Sequence, residues 1–155
     1  RPKDFDKIFN LINPIVNKPS EKVKSKIYKY LTKREKVLLV AKDKKKLIGY
    51  TFVDFSDDDP KTKKLVKDST EYTSIAWVGV DENYRKKGVG ARLLRKAEKI
   101  TKKWKRKGMV LDCRKAVIPF YEKSGFKKAG YFIKPKKNKK RRQYVMEKRV
   151  RMKLT

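Results

Sequence analysis

Residues 83–94 read Asn-Tyr-Arg-Lys-Lys-Gly-Val-Gly-Ala-Arg-Leu-Leu. Three cations precede two glycines spaced two apart, and an apolar helical pattern starts at once. Val89, Leu93, Leu94, Ala97, Ile100 and Trp104 recur at intervals that place them on one helix face. Upstream, residues 71–80 (EYTSIAWVGV) are β-branched and aromatic and predict a strand. Glycine in the turn between them lets a ligand come close to the main chain. The first amides of the helix have no partner within it and face outward, which suits an anion. The stretch predicts a phosphate-binding loop. It is not a P-loop, because no Gly-Lys-Ser/Thr closes it, and it has only two of the three glycines of the dinucleotide fingerprint.

Working outward, residues 4–12 predict a short amphipathic helix that ends near Pro14. A second helix opens with Ser20 as N-cap and puts Val23, Ile27, Tyr30 and Leu31 on one face. Residues 36–41 and 46–55 then read as strands joined by the charged turn 42–45. Residues 56–70 are polar, contain Pro60 and predict a loop; its Asp57, Asp58 and Asp59 read as a solvated turn before a cation site. The helix after the loop should run to about Lys107 and stop at Gly108. A short buried strand over 109–113 and a helix over 116–123, with Pro119 in its first turn, come next. Strands over 126–133 and 143–152 flank a basic hairpin loop at 134–142. There is no repeat and no linker, so residues 1–155 read as one domain of mixed, layered α/β architecture.

Composition narrows the chemistry. Histidine is absent and Cys113 is the one cysteine, which removes imidazole catalysis, Ser–His and Cys–His pairs and an intrachain disulfide, and no metal site is expected. No run approaches the ~20 apolar residues of a membrane span, and the start lacks a signal-peptide pattern, so a cytoplasmic protein is expected. The chain carries 47 Lys and Arg against 17 Asp and Glu, a net charge of +30. Residues 99–155 alone hold 22 basic and 3 acidic side chains. That field attracts polyanions without reading sequence. A lysine-biased composition accounts for it equally well, since lysine is spread through every segment.

Two segments together resemble the GNAT superfamily of N-acetyltransferases. Arg85-Lys-Lys-Gly88-Val-Gly90 after a strand is similar to its acetyl-CoA signature, Q/R-x-x-G-x-G/A. Some thirty residues on, Phe120-Tyr121-Glu-Lys123-Ser-Gly125-Phe126 is similar to its second marker, F/Y-Y-x-k-x-G-F. The order of elements agrees over essentially the whole chain. The resemblance implies the GNAT acyl-CoA N-acyltransferase fold, a mixed sheet of about six to seven strands with about four helices. It also implies that Arg1 and Pro2 are the tail of a truncated first strand. The run at 111–130 is locally similar to glucosamine-6-phosphate N-acetyltransferases.

The resemblance further implies roles. Val78, Gly79 and Val80 would pair their backbone with the pantetheine arm of acetyl-CoA, the co-substrate. The amides of Arg85, Lys86, Lys87, Gly88, Val89, Gly90 and Ala91 would hold the pyrophosphate, with Gly88 and Gly90 keeping the approach open. Phe120 and Lys123 would flank the far end of the cofactor. Tyr121 would hand a proton to the departing thiolate, as a phenol near pKa ~10 can. The amine attacks the thioester directly, so Cys113 reads as a buried apolar residue. For the general base Glu71 comes first, Asp112 second and Asp54 third. Arg114 and Val117 depart from the family's asparagine and small residue, which weakens the carried-over contacts on that side.

The expected acceptor is a primary amine on a small molecule or a protein. A strongly cationic surface repels polyamines and favours amines borne on something anionic. Homodimerisation is left open. The alternative class is a non-enzymatic basic module that binds RNA or a ribonucleoprotein through residues 99–107 and 134–142.

Overall fold

A computed structural model of the chain describes residues 3–16, 18–56, 65–66, 71–136 and 139–150. Among them are six strands and four helices. They run α1 (Phe5–Ile15), α2 (Ser20–Thr32), β1 (Lys36–Asp43), β2 (Lys46–Asp54), β3 (Tyr72–Val80), α3 (Val89–Lys103), β4 (Gly108–Cys113), α4 (Ile118–Lys123), β5 (Lys127–Lys136) and β6 (Lys139–Arg149). The strands form a mixed sheet in the order β1-β2-β3-β4-β6-β5. β3 and β4 are parallel through Tyr72↔Gly108, Thr73↔Met109 and Ser74↔Val110, while β1/β2, β4/β6 and β5/β6 are antiparallel. The aspartates at 57–59 and Arg1-Pro2 lie outside the described residues.

The chain comprises two compact units, Arg1–Ser56 with Ile75–Ala97, and Asp57–Ser74 with Glu98–Thr155. In the first, β1 is covered on both faces. Leu38 and Val40 join the core under α1 and α2, while Leu39 and Ala41 pack with Val89 and Leu93 of α3. α1 buries Phe5, Ile8 and Ile12, and α2 buries Val23, Ile27 and Tyr30, at the three- and four-residue spacing of an apolar stripe. Phe52 is the hub of this core. Tyr30, Tyr50 and Trp77 meet its ring edge-on at 4.8, 5.9 and 5.5 Å. Such pairs contribute about 0.5–1.5 kcal/mol each beyond area burial. Two expectations at this end need correction. Pro14 does not stop α1 but lies inside its last turn, where the helix still closes with Val16 N–H donating to the Ile12 carbonyl at 3.0 Å. Pro19, not Ser20, is the N-cap of α2, and the Ser20 hydroxyl instead donates to Asn13 Oδ1 at 3.3 Å.

In the second unit, Val66, Tyr72, Val110 and Val145 form the buried cluster, with Ala129 and Phe132 against it. α3 ends four residues before the expected Lys107. Lys105 takes a left-handed φ of 56°. Arg106 N–H donates to the Thr101 carbonyl and Lys105 N–H to that of Lys102, the double bond of a Schellman end. Lysine thus does the work expected of Gly108, which opens β4. The basic stretch 134–142 is also corrected. Instead of forming a loop, residues 134–136 and 139–142 continue both strands, pairing Ile133 with Arg142, Pro135 with Lys140 and Lys136 with Lys139. Charge is no obstacle to a ladder from which Lys139, Lys140 and Arg142 project into water.

Candidate functional site

The loop joining β3 to α3 is built by short-range geometry. Asp81 N–H donates to the Ile48 carbonyl at 2.7 Å, and the Asp81 carboxylate accepts from Asn83 N–H at 2.9 Å. These bonds turn the chain out of β3 into a single 3₁₀ turn over Glu82–Tyr84. Lys86 then adopts φ 61° and Gly88 φ 81°. The first intrahelical bond is Arg92 N–H to the Gly88 carbonyl at 3.0 Å. Gly88 is therefore the cap, and the amides of Gly88, Val89, Gly90 and Ala91 precede any helical partner. A β-carbon built on Gly88 would meet nothing within 4 Å. The space beside Gly88 is open, and an anion at the start of a helix gains roughly 0.3–1 kcal/mol from the helix dipole.

The three cations of the loop are exposed but not equivalent. Arg85 Nε–H donates to the Val80 carbonyl at 3.3 Å, which ties the guanidinium to the end of β3. The Lys87 ammonium lies 5.6 Å from the Tyr84 ring centroid, and Tyr84 Oη donates to Asp43 at 2.8 Å. That hydrogen bond raises the Tyr84 phenol above its ordinary value.

Val78, Gly79 and Val80 end β3 immediately before this loop. A β-carbon on Gly79 would overlap the buried ring of Tyr50, so glycine is required here by a neighbour in β2. Burial pushes the Tyr50 phenol up to about 12. Two residues before Gly79, Trp77 holds φ 51° within the strand, a backbone outlier for a bulky residue. Ala76 and Trp77 consequently both pack on the α1/α2 side, whereas Val80 packs with Val89 and Leu93. The alternation of the strand is broken at this point. The first unit therefore brings together every cofactor-binding residue expected between Val78 and Ala91.

Phe120, Tyr121 and Lys123 belong to the second unit, on α4. Tyr121 is 8% exposed, with the rings of Phe120 and Phe126 edge-on at 5.0 and 5.8 Å. Its phenol is raised well above the ordinary range, first by burial and then by Cys113 and Asp112. It stays protonated at neutral pH, but the shift makes it a weaker acid than the ordinary phenol expected from the sequence. The buried Cys113 thiol is pushed up to about 11 by burial and by Asp112. A thiol held in that form is a poor nucleophile. Phe120 is half-buried and Lys123 exposed.

Of the three base candidates, Asp54 is engaged elsewhere. It is buried, accepts from the Lys36 ammonium at 2.7 Å, and takes the Ser56 amide and hydroxyl at 2.7 and 2.6 Å. Glu71 is exposed and pairs with Lys107 Nζ at 2.7 Å. It lies beside the Gly108 end of β4, while Tyr121 is coupled to Cys113 at the other end. Five residues of strand, about 16 Å, separate those ends. Asp112 neighbours Cys113 and is half-buried.

Three features have no signal in the sequence: the Trp77 bulge, the Tyr50–Gly79 contact and the surroundings of Lys26. The Lys26 ammonium on α2 lies 4.5, 5.3 and 5.4 Å from the ring centroids of Trp77, Phe52 and Tyr30. Nothing in the local pattern separates this lysine from the others on α2. Among the described residues no group of His, Cys, Asp and Glu could hold a metal, and no helix is long and apolar enough to cross a membrane.

Comparison with known proteins identifies the class. A model described as the acetyltransferase (GNAT) family matches residues 5–126, well over half of the chain. The chain belongs to that family and is an acetyl-CoA-dependent N-acetyltransferase. No curated protein sequence matches it. Among solved structures it is similar to the ribosomal-protein-S18-alanine N-acetyltransferase from Escherichia coli, with TM-score 0.73 and 16% identity over 99% of this chain and 92% of that one. It is similar to an aminoglycoside 6'-N-acetyltransferase complexed with coenzyme A, with TM-score 0.74 and 16% identity over 100% and 95%. A third is a candidate streptothricin acetyltransferase from Bacillus anthracis str. Ames in complex with acetyl coenzyme A, with TM-score 0.66 and 23% identity over 80% and 68%. At these identities the likeness is one of fold.

Proposed function

We propose that the protein moves an acetyl group from acetyl-CoA directly to a primary amine carried on an anionic small molecule or on a protein. The observation that carries this reading is the turn at Lys86–Gly88. It leaves the first amides of α3 without helical partners, directly after the end of β3. Backbone amides from Arg85 to Ala91 hold the diphosphate, and the backbone of Val78–Val80 pairs with the pantetheine arm. Phe120 and Lys123 flank the far end of the co-substrate. Tyr121, a phenol protonated at neutral pH, supplies the proton for the leaving sulfur. For the amine's proton, Glu71 and Asp112 are the candidates. The separation along β4 favours Asp112 for direct transfer and leaves Glu71 a route through water.

The anionic character of the acceptor follows from the net charge of +30, which raises the local concentration of anions and repels polycations. The local similarity of residues 111–130 to glucosamine-6-phosphate N-acetyltransferases supports a sugar phosphate as one such acceptor. A purely RNA-binding role is not favoured by the family match. A polyanion contact through residues 99–107 and 134–142 remains compatible with catalysis.

The test is a panel of amines with detection of free thiol. Acetyl-CoA alone should raise the melting temperature, and anionic amines should turn over faster than cationic ones, with an advantage that shrinks as salt rises. Equal salt dependence for both groups would refute the electrostatic choice of acceptor.

A further inference from the structure

The chemistry proposed for Tyr121 needs its ring held in place, yet α4 carries it on only six residues, Ile118–Lys123. A helix of that length is not stable by itself in water and takes its position from what it is tied to. At its C-terminal end, Ser124 N–H and Phe126 N–H both donate to the Tyr121 carbonyl, at 3.0 and 3.1 Å. Ser124 is the C-cap, so its own carbonyl has no partner further along the helix. Lys148 of β6 supplies one. Its ammonium donates to the Ser124 carbonyl at 2.8 Å and to Glu98 Oε2 on α3 at 3.1 Å. A cation is also what the C-terminal end of a helix favours.

The lysine is built into the fold. Its side chain and that of Glu98 are only 25% and 20% exposed. A β-carbon on Gly125 would come within 2.9 Å of Lys148 Cε and 3.1 Å of its Nζ, and Gly125 holds φ 93°. The glycine of the second marker thus turns the chain and leaves passage for the lysine. Two hydrogen bonds separate Lys148 from Tyr121: the ammonium to the Ser124 carbonyl, and the Ser124 amide to the Tyr121 carbonyl.

We infer that Lys148 is a positioning residue for Tyr121, joining the end of α4 to β6 and α3 so that the phenol is aimed at the leaving sulfur. The inference rests on the role proposed for Tyr121 and adds to it a residue outside both family motifs. The rings of Phe120 and Phe126 meet Tyr121 edge-on, but both belong to the same segment of chain and move with it. Lys148 comes from a different strand and refers that segment to the sheet. Its ammonium is committed to two oxygens and takes no part in the proton transfer itself.

The experiment compares Lys148→Met, Lys148→Arg, Tyr121→Phe and the double variant Lys148→Met with Tyr121→Phe, all in the full chain. Free thiol released from acetyl-CoA is followed with glucosamine 6-phosphate and with the fastest amine of the panel. Lys148→Met should lower kcat about tenfold while the KM for acetyl-CoA stays within about twofold. Arginine keeps the charge and has donors enough for both oxygens, so Lys148→Arg should hold kcat within about threefold of the unaltered chain. Once Tyr121 is phenylalanine, Lys148→Met should lower kcat by less than about twofold further. Equal losses in the two backgrounds would make Lys148 a purely structural residue and overturn the inference. Should Lys148→Met fail to fold, Glu98→Gln loosens the same junction with the bond to Ser124 left in place. Its smaller loss of kcat should vanish in the Tyr121→Phe background, and a loss that persists there overturns the inference too. A carbon-13 label on tyrosine Cζ reads the coupling without any acceptor. The Tyr121 signal, known by its absence from Tyr121→Phe, should move in Lys148→Met and return in Lys148→Arg; an unmoved signal counts against the inference alone. Full turnover by Tyr121→Phe would instead remove the role proposed for the phenol, and this inference with it.

Discussion

Arg85, Lys86 and Lys87 stand in a turn where Lys86 and Gly88 both take positive φ, directly before the partnerless first amides of α3. Lys139, Lys140 and Arg142 stand on a continuous antiparallel ladder that runs from Gly130↔Val145 to Lys136↔Lys139. Both regions are dense in cations. In the first, on the proposed reading, the backbone makes the site and the side chains add charge to it. In the second, backbone groups are spent on the ladder and the charges face outward; Arg142 rests 4.4 Å from the ring centroid of the exposed Tyr131. Charge density alone is therefore a poor guide to a binding site in this molecule. Convergence of unpaired main-chain donors is a better one.

Substitutions can break or sharpen that contrast. The largest effect is expected from Gly90→Glu, which adds bulk and like charge among the amides of a buried helical position. Acetyl-CoA binding, read by calorimetry, should fall below detection, and retained affinity would locate the diphosphate elsewhere. Next comes Lys36→Met, which turns a buried paired charge into a lone carboxylate at Asp54. The expected loss is about 3–5 kcal/mol of stability by denaturant unfolding. A change near zero would show that the pair is more hydrated than its burial implies. Tyr121→Phe should then lower turnover about 10²-fold while acetyl-CoA affinity stays within about twofold. Full turnover in that variant removes the phenol from the chemistry. The smallest effect is expected from Lys139, Lys140 and Arg142 changed together to Gln. Stability should move by less than about 0.5 kcal/mol, and acetyl-CoA affinity should not change. Loss of acetyl-CoA affinity in the triple variant would erase the distinction between the two regions.

The part of the molecule that was legible in the sequence is the part governed by local rules. Two glycines before an apolar helix announced the loop. The β-branched run at 71–80 announced β3, and the paired motifs at 85–90 and 120–126 announced the family. The misread boundaries have local causes too. Pro14 is accommodated in the last turn of α1, Lys105 adopts a conformation more usual for glycine, and a lysine-rich run prolongs a hairpin. What could not be read depends on distant partners. Glu71 stood first among the base candidates, and only the fold supplies its partner Lys107 at 2.7 Å. Asp54 is fixed by Lys36, eighteen positions earlier. The box around Lys26 needs α2, β2 and the bulge of β3 at once, and no window of sequence contains all three.

The aromatic ring of Tyr50 occupies the volume that a side chain at position 79 would fill. Neither position can therefore drift on its own. A homologue with alanine or serine at 79 should have given up the tyrosine at 50 for something slimmer, and one that keeps the tyrosine should keep the glycine. The second strand would then be under selection for what the third one grips, although it carries none of the family's motif residues.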